Sequence, residues 1–350
     1  MKQVDLKDLP RREMEDFFRS LGEAPFRGRQ VMRWIYHRGE TSFEGMTDIK
    51  KGLREKLKEV ASLSELHPVA QVEASDGTQK FLFPLGDGHG IESVLIPDGE
   101  RLTLCLSTQV GCGMGCRFCL TARGGLARDL TTAEIVEQIL AVRKIIGPSK
   151  RITNIVFMGM GEPLANYRNV VRAISIMKDD LGLGFSRRRI TLSTVGLLPE
   201  IRRLFDEGVP CRLAISLNAA DQKTRSYLMP ISRRYPLEDL LRLCRGLPLP
   251  RGERITFEYV LLEGVNDRPL DAHRLAEILQ GIRCKINLIP YNEAPGLPFR
   301  RPAPERVSAF QEVLLRAGYT AIIRESRGGE IGAACGQLRG IIQRGQPSGK

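Results

Sequence analysis

The sequence predicts an α/β fold, a partial or closed barrel of parallel strands with helices on its outer face. The first observation is a series of short apolar segments typical of strands, which are LTLCLSTQ, RITNIVFMG, RRITLSTVG, CRLAISLN, RITFEYVLL, CKINLIP and YTAIIRE. The second is helical periodicity between them, as in TTAEIVEQILAVRKII from Thr131 and RPLDAHRLAEILQGI from Arg268. This alternation fits right-handed crossovers in a parallel sheet, so functional side chains are expected at the carboxyl ends of the strands.

Length and composition exclude several classes of protein. The chain has 350 residues, of which 42% are hydrophobic and 27% charged, so it is neither disordered nor fibrous. No stretch approaches the roughly 18 apolar residues of a membrane span, and the first residues are charged rather than signal-like. We therefore expect a cytoplasmic protein with no membrane partner.

Basic residues outnumber acidic ones, which gives a formal net charge of +12. This excess favours a polyanionic partner such as nucleic acid or an anionic membrane surface. An ordinary basic enzyme is the alternative.

Residues 1–70 are predicted to form a helical domain. The segment FRGRQVMRWIYHRG has apolar residues at helical spacings, which would bury Val31, Trp34 and Ile35 on one face. Its charge pattern leaves two interpretations open, an RNA-docking module and a solvated helical appendage.

Three further regions follow. Residues 71–100 alternate in the manner of a small β extension, with a turn at Asp76-Gly77. Residues 101–325 form the predicted barrel. Residues 326–350 form a tail rich in glycine and alanine, which we expect to be flexible.

The eight cysteines are unevenly distributed. Cys112, Cys116 and Cys119 form a C-x3-C-x2-C spacing in CGMGCRFC, directly after the first barrel strand. Three soft ligands in a short glycine-rich loop suit an iron-sulfur cluster. Structural zinc takes four ligands, and no nearby His or Cys completes the set, His89 and Cys105 being the closest candidates. The sequence therefore predicts a cubane cluster with one iron open to a small molecule.

This spacing, with Phe118 before the last cysteine and a βα barrel following, resembles the radical S-adenosylmethionine (SAM) superfamily. More specifically, STQVGCGMGCRFCLTA, FMGMGEPLANY, ITLSTVGLLP, AISLNAADQ, NLIPYNEAPG and GAACGQLRG together resemble the RlmN family of RNA adenine methyltransferases. That family methylates carbon 2 of an adenine in the peptidyl-transferase region of 23S rRNA and of the adenosine next to the anticodon in certain tRNAs. The resemblance covers most of the chain from about Gly90 onward and implies a radical SAM partial (β/α) barrel.

The resemblance implies one 4Fe-4S cluster per chain, held by Cys112, Cys116 and Cys119, and two SAM molecules per turnover. Glu162, directly after Gly161, would accept the ammonium group of SAM. The other SAM contacts that the resemblance implies are Ser193, Ser216, Leu217, Asn218 and Asn292. All of them follow predicted strands, as a barrel site requires.

By the same resemblance, Cys335 takes a methyl group from one SAM as a thiolate. A radical made from the second SAM then activates this S-methyl group so that it adds to the adenine. Cys105 releases the joined RNA by forming a transient disulfide with Cys335. The ring proton has two candidate acceptors, Glu92 and Cys105, and the sequence leaves the choice open. The cysteines that match no motif, and are predicted to lie in the core, are Cys211, Cys244 and Cys284.

The implied substrates, 23S rRNA and tRNA, hold the adenine in folded RNA, so the base must leave its stack to enter the barrel mouth. Basic side chains are expected around that mouth and over the N-terminal helices. The candidates are Arg27, Arg29, Arg33, Arg187, Arg188, Arg189, Arg300 and Arg301. An electron donor such as flavodoxin or ferredoxin is also implied.

The sequence leaves three alternatives. An adenine carbon 8 methyltransferase of the sister family would share these catalytic residues. A non-catalytic iron-sulfur RNA-binding protein would keep the scaffold without the chemistry. A radical SAM activase acting on protein would use the cluster but leave Cys105 and Cys335 without a function.

Overall fold

The computed structural model describes residues 3–341. A ten-stranded sheet forms its centre, in which seven parallel strands make a partial barrel and three antiparallel strands extend one edge. The predicted α/β partial barrel is therefore confirmed. Among residues 3–341, no helix combines the length and apolarity needed to cross a membrane.

The N-terminal region is a small helical bundle. Its elements are β1 (Val4–Asp5), a 3-10 helix (Leu6–Asp8), α1 (Arg11–Ser20), α2 (Phe26–Tyr36), α3 (Lys51–Val60) and β2 (Ala61–Ser62). The two short strands pair in parallel. The predicted face of α2 is confirmed, since Val31, Trp34 and Ile35 are all buried.

The β extension continues the barrel sheet. It consists of β3 (Ala70–Glu73), β4 (Gln79–Pro84) and β5 (Gly90–Asp98), which pair antiparallel. Strand β6 (Arg101–Cys105) pairs antiparallel with β5 on one side and parallel with the barrel on the other. Because of this shared strand, the extension reaches the edge of the barrel mouth.

The barrel alternates strands and helices as predicted. After β6 its elements are β7 (Gln109–Gly111), α4 (Leu120–Arg123), β8 (Leu126–Asp129), α5 (Thr132–Ile146), β9 (Asn154–Phe157), α6 (Tyr167–Lys178), a 3-10 helix (Arg187–Arg189), β10 (Ile190–Thr194), α7 (Leu198–Asp206), β11 (Arg212–Ser216), α8 (Gln222–Leu228), a 3-10 helix (Pro230–Arg233), α9 (Leu237–Gly246), β12 (Ile255–Leu261), α10 (Pro269–Ile278), β13 (Cys284–Pro290), α11 (Pro304–Arg316), β14 (Ala321–Ile323) and a 3-10 helix (Gly329–Ile331). The parallel strands lie in the order β6-β9-β10-β11-β12-β13-β14. Their carboxyl ends therefore meet at one mouth.

Buried apolar side chains unite the barrel and the N-terminal bundle in one core. Strand β13 shows how side chains alternate along a strand, since Cys284, Ile286 and Leu288 are buried while the residues between them are half-buried. Cys211 and Cys244 are buried as well. The prediction that these three cysteines lie in the core is confirmed.

A buried ion pair joins the N-terminal bundle to α5. Lys7 Nζ lies 2.6 Å from Glu137 Oε1, and both side chains are almost fully buried. The next residue, Asp8, accepts the N–H of Ala133 at 2.8 Å in the first turn of α5, where a helix favours negative charge. The bundle is thus fixed to the barrel by specific polar contacts as well as by packing.

Candidate functional site

The cysteine loop is framed by a short hairpin. Strands β7 and β8 pair antiparallel on either side of it, and the N–H of Cys112 donates to the carbonyl of Gly125 at 2.7 Å. Gly111 has a φ of 76°, and a side chain there would collide with the Gly125 carbonyl oxygen. Inside the loop, the N–H of Arg117 donates to the carbonyl of Leu228 at 2.9 Å. The loop conformation is therefore fixed from both sides.

The three predicted cluster ligands share one recess. Cys112 is buried, and Cys116 and Cys119 are partly buried. Burial, with the charges of Cys119 and Glu162, raises the pKa of Cys112 to about 12. Burial and the other two thiols raise the pKa of Cys116 well above its ordinary value. Such thiols become thiolates only when a cationic group takes up their charge, which a metal cluster does.

The three cysteines are not arranged as a site for one metal ion. Among residues 3–341, no group of three or more His, Cys, Asp or Glu side chains is arranged to hold one metal ion. In a four-iron cluster each cysteine binds a different iron, so its ligands stand further apart. The donor set of three cysteine sulfurs in one recess fits the implied cluster.

A cavity of about 310 Å³ opens beside the cysteine loop. Its wall includes Arg117, whose guanidinium stacks over the ring of Tyr227 at 4.5 Å from the ring centre. The lining residues are Gly115, Cys116, Arg117, Cys119, Ala122, Arg123, Tyr227, Gly296, Leu297, Pro298 and Phe299. The recess of the cysteine loop is therefore open to solvent on this side.

Gly161 and Glu162 follow β9 at the barrel mouth. Gly161 has a φ of 99°, and a Cβ there would lie 2.5 Å from the Cβ of Gln109. Glu162 is almost fully buried and accepts the N–H of Val195 at 2.9 Å. Burial raises the pKa of Glu162 to about 7. Because its charge acts on Cys112, this carboxylate lies beside the cluster recess.

Four other predicted SAM contacts lie at the carboxyl ends of strands. Ser193 and Ser216 are half-buried near the ends of β10 and β11. Leu217 follows β11 and is fully buried, and Asn292 lies just beyond β13. The fold thus brings them to one rim of the barrel, and their contact with SAM stays a prediction.

Asn218 takes part in holding this rim. Its φ is 59°, a left-handed conformation that asparagine tolerates. Its side-chain oxygen accepts the N–H of Val260 at 2.8 Å, and its carbonyl accepts the side-chain amide of Asn266 at 2.7 Å. The observed contacts tie β11 to β12, and its predicted contact with SAM is untested.

A buried arginine outside any recognised motif braces the same rim. Arg225 is fully buried and donates to the carbonyls of Val195 at 2.7 Å and Leu217 at 3.2 Å. Burial lowers its pKa to about 10, against the opposing charge of Cys116. Its position became visible only once the strands were assembled, because its partners lie on separate strand ends.

The strap, defined here as residues 328–341, is docked onto the barrel. Leu338 is buried, and its carbonyl accepts the hydroxyl of Thr121 at 2.8 Å. The carbonyl of Gly336 accepts the N–H of Leu120 at 2.8 Å. These residues are docked in this structure, where their small side chains permit close packing, and their predicted flexibility stays a prediction. Residues 342–350 of the predicted tail lie outside the part of the chain that the structure describes.

Cys335 lies at a tight turn of the strap. The N–H of Gln337 donates to the carbonyl of Ala334 at 3.0 Å, and Gly336 has a φ of 83°, as a type II turn requires at this position. The Gln337 side chain accepts the N–H of Ala334 at 3.2 Å and donates to the carbonyl of Glu293 at 2.9 Å. The Gln337 side chain thus stabilises the turn itself and also attaches it to the segment after β13.

Cys335 and Cys105 lie close enough for the charge of Cys335 to act on the Cys105 thiol. The side chain of Cys335 is exposed to the open mouth, yet enclosure by the surrounding protein, together with the charges of Glu258 and Cys119, raises its pKa to about 11. Cys105, at the end of β6, is buried. Burial, and then the charge of Cys335, raises the pKa of Cys105 far above its ordinary value. Both are free thiols, so the implied disulfide is not formed in this structure.

Glu92 lies on β5 and contacts the strap. Its Oε2 accepts the N–H groups of Arg339 at 2.6 Å and Gly340 at 3.0 Å. Its Oε1 lies 3.1 Å from Lys80 Nζ on β4. Lys80 belongs to no motif, so its position at the site could not be predicted.

The arginine triplet Arg187, Arg188 and Arg189 was expected at the mouth, and this expectation is wrong. These residues form a 3-10 helix that directly precedes β10, and the amino ends of parallel strands lie at the opposite face of the barrel. Arg187 instead pairs with Glu253 at 2.9 Å.

The other basic candidates lie on two surfaces. On the N-terminal bundle, Arg27 stacks over the ring of Phe26 and Arg29 pairs with Glu15 at 2.8 Å, while Arg33 is exposed. After β13, Arg300 and Arg301 are exposed in the segment that leads to α11. Both surfaces present basic side chains, and their contact with RNA stays a prediction.

Comparisons with known proteins cover almost the whole chain. Residues 4–63 match the family model of the ribosomal RNA large subunit methyltransferase N-terminal domain, and residues 106–276 match that of the radical SAM superfamily. The dual-specificity RNA methyltransferase RlmN of Syntrophobacter fumaroxidans is 52% identical over 97% of this chain and 98% of its own. That of Geobacter sulfurreducens is 52% identical over 99% and 95%. A crystal structure of a radical SAM methyltransferase from Sphaerobacter thermophilus superposes with a TM-score of 0.91 at 44% identity, covering 97% of this chain and 100% of its own.

Proposed function

The chain belongs to the RlmN family of radical SAM RNA methyltransferases, and from that premise we propose which of its residues carry each part of the reaction. The enzyme methylates carbon 2 of adenine in 23S rRNA and in tRNA, and it uses a 4Fe-4S cluster and two SAM molecules per turnover. Carbon 2 of adenine is electron-poor and has no lone pair with which to attack the methyl group of SAM. A residue of the protein must therefore carry the methyl group to the base.

The observation that carries the assignment is the position of the Cys335 turn. A Cβ on Gly336 would lie 3.3 Å from the carbonyl oxygen of Phe118, and the carbonyl of Gly336 accepts the N–H of Leu120. The turn therefore packs directly against the last part of the cysteine loop. Cys105 lies near the same turn, since the charge of Cys335 acts on its thiol.

Cys112, Cys116 and Cys119 would hold the cluster, and Glu162 would orient the ammonium group of SAM. When bound, the cluster supplies the electron that splits SAM reductively. Arg225 keeps the ends of β10 and β11 together through the carbonyls that it binds. These residues position the reacting groups in a site that folded protein already surrounds.

Cys335 acts as the methyl acceptor. Its raised pKa of about 11 keeps the thiol protonated at neutral pH, so a positive charge close to its sulfur favours the reactive thiolate. The sulfonium of SAM provides such a charge. Methyl transfer is thereby favoured when the donor is in place.

Cys105 releases the product. Attack of the Cys105 thiolate on the sulfur of Cys335 forms the S–S bond and breaks the bond between Cys335 and the carbon attached to the RNA. The electron pair of the broken bond stays on that carbon, which takes up a proton and becomes the methyl group. Burial at the end of β6 keeps this thiol away from other reactants. The resulting disulfide is reduced before the next turnover.

We also propose that RNA binds along the basic N-terminal helices and the segment after β13. Phosphate contacts with Arg27, Arg29, Arg33, Arg300 and Arg301 would make affinity fall steeply with salt. A small redox protein such as flavodoxin or ferredoxin supplies the electron. Because its RNA substrates and electron donors are found there, the cytoplasm is the proposed location.

Mass spectrometry of digested RNA tests this proposal. Anaerobically reconstituted enzyme with SAM, reductant and rRNA fragments or tRNA should yield 2-methyladenosine, and the Cys335→Ala variant should yield none. Formation of 8-methyladenosine without 2-methyladenosine would favour the sister activity. A full cluster that yields no 5'-deoxyadenosine would favour a non-catalytic RNA-binding protein.

A further inference from the structure

Lys80 and Glu92 bind the strap on both sides of Cys335. Lys80 Nζ donates to the carbonyl of Gly332 at 3.4 Å, three residues before Cys335. Through its ion pair with Glu92 it is also connected to the N–H groups of Arg339 and Gly340, which follow Cys335. The two side chains therefore bind the strap on both sides of the reactive cysteine.

The sheet fixes the position of this pair. Lys80 lies opposite Val94 and Leu82 lies opposite Glu92 in the antiparallel register of β4 and β5. Lys80 and Glu92 are therefore diagonal neighbours on the same face of two rigid strands, a spacing that long side chains bridge. The strap is thus attached to the same sheet that contains Cys105, since β5 pairs with β6.

Both oxygens of Glu92 are occupied. The side chains of Lys80 and Glu92 are 19% and 9% exposed, so the pair is largely removed from water. A buried ion pair is retained only when further hydrogen bonds satisfy its charges, and here two backbone N–H groups of the strap do so. The Glu92 carboxylate therefore binds Lys80 and the strap backbone and is not directed at a substrate.

We propose that Glu92 and Lys80 are positioning residues, which hold the strap so that the Cys335 thiol stays between the cysteine loop and Cys105. Glu92 then acts through Cys335, and the ring proton of adenine goes to Cys105, the other candidate acceptor. This inference rests on the proposed role of Cys335 as methyl acceptor. It assigns a function to Lys80 and chooses between the two roles open to Glu92.

Hydrogen exchange of the full-length, cluster-containing enzyme tests the contact independently of catalysis. In Glu92→Ala and Lys80→Met, amide exchange in residues 328–341 should accelerate by roughly tenfold or more, because hydrogen bonds to charged groups are among the stronger ones. Glu92→Gln keeps one acceptor oxygen and should show an intermediate rate. The matched control is Glu238→Gln, which breaks an exposed pair with Arg242 on α9 and should leave the strap unchanged.

Two catalytic readouts complete the test. The fraction of Cys335 that acquires a methyl group should fall in Glu92→Ala and Lys80→Met, and no covalent complex with RNA should accumulate in Glu92→Gln. Accumulation of such a complex in Glu92→Gln, as expected for Cys105→Ala, would show that Glu92 removes the ring proton. Unchanged exchange in Glu92→Ala would also overturn the inference. If the wild-type enzyme formed no methyladenosine, the proposed function would fail, while the exchange result would still decide the contact.

Discussion

The cysteine loop and the strap place four cysteine sulfurs at one mouth, but they are built in different ways. The loop gathers Cys112, Cys116 and Cys119 within eight residues, and the hairpin of β7 and β8 frames it locally. The strap places Cys335 through contacts with residues far away in sequence, such as the Thr121 hydroxyl and the Glu92 carboxylate. Ligands of a preformed cofactor can come from a short motif, whereas a residue that must meet two partners is placed by the whole fold.

Loss of one cluster ligand should have the largest effect. Cys116→Ser is expected to abolish the cluster and all RNA methylation, because three thiolates are needed to hold the cubane. Iron content and the visible absorption of the reconstituted protein measure this. The control is Cys284→Ala in the barrel core, which should keep both iron and activity. Retention of a full cluster in Cys116→Ser would remove Cys116 from the ligand set.

The hairpin that frames the loop should be the next most sensitive feature. In Gly111→Ala the left-handed φ costs roughly 1–2 kcal/mol, and the added Cβ meets the carbonyl of Gly125. We expect a lower free energy of unfolding and reduced iron content. The matched control is Gly113→Ala, where a Cβ would come no closer than 3.6 Å to the nearest neighbour, Leu126. Equal behaviour of the two variants would mean that the hairpin does not shape the loop.

A change in the turn of the strap should affect methylation of the RNA while leaving the cleavage of SAM intact. Gln337→Ala removes two hydrogen bonds of about 1 kcal/mol each, so Cys335 is held less firmly while the cluster is untouched. The ratio of 5'-deoxyadenosine to methyladenosine formed should rise several-fold, and Gln337→Glu, which keeps the acceptor, should lie between. Chromatography of both products gives the ratio. If the iron content fell together with the yield of methyladenosine, the strap would be needed to maintain the cluster, and its effect could not be separated from that of the cysteine loop.

The smallest effect is expected at the contact between the two regions. Thr121→Val removes one hydrogen bond to the carbonyl of Leu338, worth about 1 kcal/mol. Unfolding in urea should show a small loss of stability, with the cluster intact. Loss of the cluster in this variant would show that the strap supports the loop directly.

The features that could be predicted are those set by residues close together in sequence. The alternation of strands and helices gave the barrel, and the cysteine spacing gave the cluster recess. Arg187 to Arg189 were misplaced because a cluster of charges does not show at which end of a strand it lies. The docking of the strap could not be predicted, because glycine and alanine permit both flexibility and close packing. The residues that hold it in this structure, such as Lys80, Glu92 and Thr121, lie far away in sequence.

In the proposed mechanism, Cys335 carries the carbon that reaches the RNA and Cys105 releases it. The most direct measurement is peptide mapping by mass spectrometry of Cys105→Ala after incubation with SAM, reductant and RNA. We expect a nucleotide joined through one carbon to the peptide that contains Cys335. Normal turnover without any adduct, or a nucleotide joined to a different cysteine, would contradict it.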